Sequence, residues 1–204
     1  MTKTGSTLVG FRSLCVAMGA LLLSGCLTIG RGGDEPEDQL FTLTSTAMAP
    51  SGAVADGNLA SALAVTEPGV PAYLDELRVP VQLNASAVAY LADAYWVEKP
   101  ARLFQRMLTE TIRAGSTRLV VGGGELEYAA QTQLGGELTA MDYDAARSRV
   151  VVRYDAVLRL PDGSLRTRRF ESVVTGIAPE ALLVGPALNR AANDVAGQVA
   201  EWVG

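Results

Sequence analysis

Residues 149–174 read RVVVRYDAVLRLPDGSLRTRRFESVV, and the rest of the chain is best understood outward from them. Val150, Val152, Tyr154, Ala156, Leu158 and Leu160 alternate with Arg149, Val151, Arg153, Asp155, Val157 and Arg159, the period-two pattern of a strand with one buried face. Pro161-Asp162-Gly163-Ser164 supplies a turn, and Leu165–Val174 returns with Phe170 and Val174 on one face and Arg169 and Glu171 on the other. A β-hairpin over 149–174 follows, with an arginine-rich face turned to solvent or to a partner.

The flanking segments supply two helices and more strands. Between Lys99 and Arg113, Leu103, Phe104, Met107, Leu108, Thr111 and Ile112 recur at spacings of three and four, with Pro100 in the first turn. From Pro179 to Val203, Leu183, Val184, Ala187, Leu188, Ala191, Val195, Val199 and Trp202 form a second helical stripe. Leu40–Thr44, Ala60–Thr66 and Arg118–Val121 are short strands, and Leu77–Leu83 and Ala87–Trp96 pair around Asn84-Ala85-Ser86. Glu127–Tyr143 reads as one extended stretch, bent or bulged at Gly135-Gly136. Two main helices on an antiparallel-dominated sheet make an α+β single domain over residues 40–204.

Composition narrows the chemistry. The 204 residues include 17 Lys+Arg, 22 Asp+Glu and no His, and 49% are apolar, enough for a substantial core. Without histidine, Ser-His-Asp, Cys-His and HExxH catalysis are all disfavoured. Lys3 and Arg12 precede the apolar run LCVAMGALLL of 14–23, a secretory signal too short to span a membrane. Leu23-Ser24-Gly25-Cys26 matches the bacterial lipobox, so residues 1–25 read as a lipoprotein signal peptide. Cys26 then carries diacylglycerol and an N-acyl chain, the only non-protein groups expected. Several chains on one Cys anchor a protein stably without a transmembrane helix. Leu27 stands where an Asp would favour retention at the inner membrane, so the expected address is the outer membrane, facing the periplasm. Residues 26–39, rich in Gly and acidic residues, read as a tether. Loss of Lys3 and Arg12 with the signal leaves 15 basic against 22 acidic residues, a net charge of −7, which argues against nucleic acid. Cys15 leaves with the signal as well, so no disulfide is expected.

Four groups of residues invite a functional reading. Gly122-Gly123-Gly124 follows a strand, but Glu127 stands where GxGxxG needs its third glycine, and a turn is the expectation. Glu125 with Glu127, and Asp142 with Asp144, have the spacing of same-face carboxylate pairs, without a further group to make them catalytic. Tyr90, Tyr95, Trp96 and Phe104 are expected in the core, or else lining an apolar groove. Arg166, Arg168 and Arg169, with Arg149, Arg153 and Arg159 on the neighbouring strand, offer a basic patch; Arg153, Arg166 and Arg168 are taken as its partner-binding residues.

Phe41-Thr42-Leu43, Ala64-Val65-Thr66-Glu67-Pro68, Tyr73-Leu74-Asp75-Glu76-Leu77-Arg78-Val79, Tyr95-Trp96 before Pro100, and the closing Glu201-Trp202-Val203 together resemble the ABC-type transport auxiliary lipoproteins, which include the lipoprotein of Pqi-type envelope systems. Trp96 is the most distinctive aromatic of the pattern; Phe41 replaces its usual Tyr, and Val97 its usual aromatic or Ala. The resemblance implies an α/β sandwich with a mixed sheet and a non-enzymatic subunit of an MCE-type lipid transport system. Its partners would be a periplasmic MCE-domain protein with its ABC permease and ATPase, and its assembly a homo-oligomeric ring. The competing readings are a free-standing lipid- or glycan-binding lipoprotein with a pocket near Tyr90, Trp96 and Phe104, and an envelope hydrolase using Glu125 or Asp142.

Overall fold

The computed structural model describes residues 39–124 and 126–204; the expected signal, Cys26 and nearly all of the tether lie outside them, as does Glu125. The 149–174 hairpin forms as strands β7 (Arg149–Arg159) and β8 (Leu165–Thr175), paired through eleven consecutive residues without a bulge. On its other side β7 pairs antiparallel with the long β6 (Thr132–Asp144). β6 has two neighbours along its far edge, because it is longer than either. Its first residues run parallel to β2 (Leu63–Val65), and its last run parallel to β3 (Arg78–Asn84).

The remaining strands extend those two branches. β2 continues to β5 (Val120–Gly122), and β3 continues through a hairpin to β4 (Ala87–Trp96) and then to β1 (Gln39–Phe41). The long ladders are antiparallel and the parallel ones span two or three residues, so the eight-stranded sheet is mixed. Between β3 and β4 the register breaks between Arg78 and Pro80, and Asp93 takes φ +53° within the excess of β4. A proline, having no N–H to give a ladder, is tolerated at such a break.

Helices α1 (Pro100–Gly115) and α3 (Ala181–Val203) pack on one face of the sheet and against each other. Pro100 opens α1, where its missing N–H is no loss. Leu103, Phe104, Met107, Leu108 and Ile112 of α1 are buried, and the Phe104 ring lies 5.2 Å from that of Tyr154 on β7. α3 contributes Val184, Ala187, Leu188, Ala191, Val195 and Val199, all fully buried. Its small residues allow close approach: the ring of Phe41 occupies the space a side chain at Gly185 would need. The loop after β1 is tied to α3 by Asn189 Oδ1, which accepts from the Thr44 N–H, and by Asn193 Oδ1, which accepts from the Thr46 N–H.

The stretch from Glu127 is not continuously extended as the sequence suggested. After Gly123 (φ +72°) and Gly124 (φ +110°) turn the chain, Leu126–Ala129 forms the one-turn helix α2, and β6 begins only at Thr132. Leu, Glu and Ala are good helix formers, and here local propensity prevails over the extended reading. The irregularity in β6 is also displaced from its expected place. Gly135 and Gly136 remain in register with Val157 and Ala156, and the shift falls between Leu138 and Ala140. None of the described helices is long and apolar enough to cross a membrane.

Candidate functional site

The register of β7 with β8 sorts the hairpin's arginines. Residues directly opposite in an antiparallel pair share a face, so Arg153 opposite Glu171 and Arg169 opposite Asp155 lie on the face away from the helices. There the Arg169 guanidinium donates twice to Asp155, both bonds at 2.6 Å, and Arg153 donates to Glu171 at 2.5 Å. Arg166 opposite Leu158, and Arg168 opposite Ala156, lie on the helix side. Their guanidiniums stack on rings, Arg166 at 5.4 Å from the centre of Trp202 and Arg168 at 4.9 Å from that of Phe170. The three partner-binding arginines expected from the sequence therefore do not form one patch. Arg153 is separated from Arg166 and Arg168 by the thickness of the sheet.

The same outer face holds the carboxylates Asp142 and Asp144, both under 9% exposed. Asp144 caps the turn Ala145–Arg147, accepting from the Arg147 N–H, and receives the side chains of Arg149 at 2.9 Å and Arg147 at 3.2 Å. Burial pushes its pKa up, but those arginines outweigh it and hold the carboxyl below the usual carboxylate range. Asp142 sits under Tyr73, whose hydroxyl donates to the Thr139 carbonyl at 3.0 Å and lies 3.4 Å from Asp142 Oδ2. Desolvation on burial pushes Asp142 up to about 6, with the charge of Asp144 adding to it, against the Tyr73 hydrogen bond and the charges of Arg153 and Arg149. Each aspartate is thus engaged by its own neighbours. Of the other carboxylate pair, Glu125 and the side chain of Glu127 lie outside the described residues.

A stability prediction follows from Asp142. In the folded protein the carboxyl holds its proton to about pH 6, whereas the unfolded chain releases it near the ordinary value of 3.8. The folded state therefore binds more protons between those limits, so this group's contribution is most favourable below about pH 4 and declines as pH rises to 6. At about 1.4 kcal/mol per pH unit, the decline amounts to about 3 kcal/mol. Asp142→Asn keeps an acceptor for Tyr73 and has no charge to bury. Urea denaturation from pH 4 to 7 should show the variant gaining on the wild type through that window, with a plateau above pH 6. Parallel curves would disprove the assignment.

The glycine triplet serves packing and a turn. A side chain at Gly122 would collide with Thr109 of α1, so the strand end can lie against the helix only if that residue is Gly. Beside it is a cleft of about 840 Å³ along the solvent side of α1. Its charged residues are matched: Arg102 pairs with Glu67 and Glu98, Arg106 with Glu98, and Arg113 with Glu110. The network was not anticipated from the sequence, although Glu98, just ahead of α1, stands four residues before Arg102 in its first turn. No cluster of metal-ligating residues is present among the described residues.

Two of the four aromatics are sealed inside the domain. Trp96 and Phe104 are at most 1% exposed and belong to the core, and the Tyr90 ring lies under the guanidinium of Arg78 at 4.5 Å. Trp96 meets Phe41 edge-on at 6.1 Å, which fastens β1 to the end of β4.

The fold recurs in solved structures. Protein XCC0632 from Xanthomonas campestris, a DUF330 protein, superposes with a TM-score of 0.66 at 14% identity, covering 81% of this chain and 94% of its own. An uncharacterized protein gives the same TM-score and identity over 82% of this chain and 99% of its own. No curated protein matches the sequence. The family described as the ABC-type transport auxiliary lipoprotein component matches residues 41–200, a span that runs from β1 nearly to the end of α3. The chain belongs to the family of ABC-type transport auxiliary lipoprotein components.

Proposed function

We propose that this protein is a non-catalytic, lipid-anchored component of an MCE-type intermembrane lipid transport system, which docks the periplasmic MCE-domain protein at the outer membrane. The family match over residues 41–200 carries this reading. The lipobox at Leu23–Cys26 supports an acylated Cys26, and Leu27 supports the outer membrane. A lipid and a tether of about a dozen residues confine the domain to a shell at the membrane, where the effective concentration of a partner is high and modest affinity suffices.

Mild-detergent co-purification of the full-length lipidated protein from its native envelope tests the reading, with Cys26→Ala as the control. The MCE-domain protein and its permease or ATPase should be recovered with the wild type and strongly depleted with Cys26→Ala. Recovery of the protein with bound lipid alone, across several detergents and after crosslinking, would replace this reading with a free-standing lipid-binding lipoprotein.

A further inference from the structure

We propose that the open edge of β8 pairs with the same edge of a second copy of this chain, joining two sheets across a twofold axis at Phe170. Among the described residues, β8 has a strand on one side only. Its eleven residues contain no proline and no bulge, so only its charged side chains guard the edge against a further strand. The Leu160 N–H donates to the Ser164 carbonyl at 2.9 Å, which makes 160/164 a hydrogen-bonded pair. Alternation along an antiparallel ladder then commits the even residues 166–174 of β8 to β7. The N–H and C=O groups of Leu165, Thr167, Arg169, Glu171, Val173 and Thr175 turn outward.

Charge selects the occupant and the register. In an antiparallel pair centred on Phe170, Arg169 faces Glu171 of the second copy, Thr167 faces Val173, and Leu165 faces Thr175. All three are pairs of outward-turned residues. Asp155 already binds Arg169 and Arg153 already binds Glu171, so each row across the joined sheets would read Asp155, Arg169, Glu171, Arg153, alternating in sign through four strands. On the helix side Arg168 would face Ser172 and Arg166 would face Val174, which keeps the two arginines away from their counterparts. Neighbouring registers lack this match. Centring on Arg169, Glu171 or Arg168 sets that residue against its own copy, and centring on Ser172 pairs no opposite charges. The edge is therefore self-complementary in one alignment, and this pairing stands apart from the transport reading.

Sedimentation equilibrium of the full-length chain in detergent tests it, with circular dichroism confirming that each variant folds. The wild type should be dimeric. Glu171→Arg sets Arg169 against a like charge at two symmetric places, and Arg169→Glu does the same to Glu171. Each should raise the dissociation constant by about tenfold or more. Mixing the two variants restores opposite charges at both places and should restore the dimer. Thr167→Cys with Val173→Cys, six residues apart on one strand, should form disulfides between chains only, above a control with neither substitution. A monomeric wild type, an assembly indifferent to Glu171→Arg, or a mixture that stays apart would each overturn the proposal.

Discussion

Gly136→Ala is expected to cost the domain about 4 kcal/mol or more, enough to leave a marginal protein largely unfolded. Gly136 holds φ at +135°, a region closed to side chains with a Cβ, in the middle of the β6–β7 ladder. A methyl group there would overlap the carbonyl oxygen of Asp155 and crowd the Ala156 backbone. Both obstacles are main chain in a paired strand, so no rotamer change relieves them. The ladder must open, and with it the register that places Tyr154 and Leu158 in the core. Gly197→Ala provides the contrast. Nothing lies within 4 Å of a Cβ at Gly197, inside α3, and Ala is the better helix former by about 1 kcal/mol. Urea denaturation of the two variants should therefore move in opposite directions, and a fully stable Gly136→Ala would mean that β6 and β7 pair differently.

The position of that glycine illustrates what the sequence could convey. Gly135-Gly136 marked an irregularity in the right strand, yet the glycine is required by a neighbouring backbone, and the register shift falls three residues later. Local periodicity located β7, β8, α1 and α3, because a buried face repeats every two residues in a strand and about every 3.6 in a helix. The parallel pairings of β2 and β3 along β6 left no such trace, since contact between distant segments has no period. Asp142 is a similar case. Its elevated pKa depends on burial and on Tyr73, sixty-nine residues away.

The hairpin's arginines divide between the two faces of the sheet. Even-numbered residues of β7 face even-numbered residues of β8, because partners across the turn Pro161–Ser164 sum to a constant even number. Arg153 and the pair Arg166 and Arg168 therefore fall on opposite faces. The apolar Phe170 and Val174 occupy even-numbered positions of β8, the face that Arg166 and Arg168 share, so the alternation within the strand carried the answer, whereas proximity in sequence suggested a single patch. The two faces give the arginines two different roles. Arg153 and Arg169 neutralise carboxylates on the outer face, while Arg166 and Arg168 remain as ring-stacked cations on the helix side.

Trp96→Ala should cost about 3–5 kcal/mol, the range for removing a large aromatic from a packed interior. Trp96 is 1% exposed and closes β4 against Phe41, and the Phe41 ring in turn fills the space over Gly185 of α3. Deleting the indole leaves a cavity at the junction of β1, β4 and α3, where the chain enters the folded domain. Yet the indole is not perfectly housed, for its Nε1–H is buried without a hydrogen-bond partner among the described residues. A buried donor left unsatisfied costs about 1–3 kcal/mol. Trp96→Phe removes that donor while keeping most of the ring, so its loss of volume is partly offset, and the variant should fall short of the wild type by no more than about 2 kcal/mol. Denaturation of both variants, followed by circular dichroism, measures the difference. Because Trp96 is sealed in the core, the folded Phe variant should also retain its partners in co-purification, while the Ala variant should lose them in proportion to its unfolded fraction. Loss of partners by a fully folded Trp96→Phe would instead place the indole at the interface, against its burial.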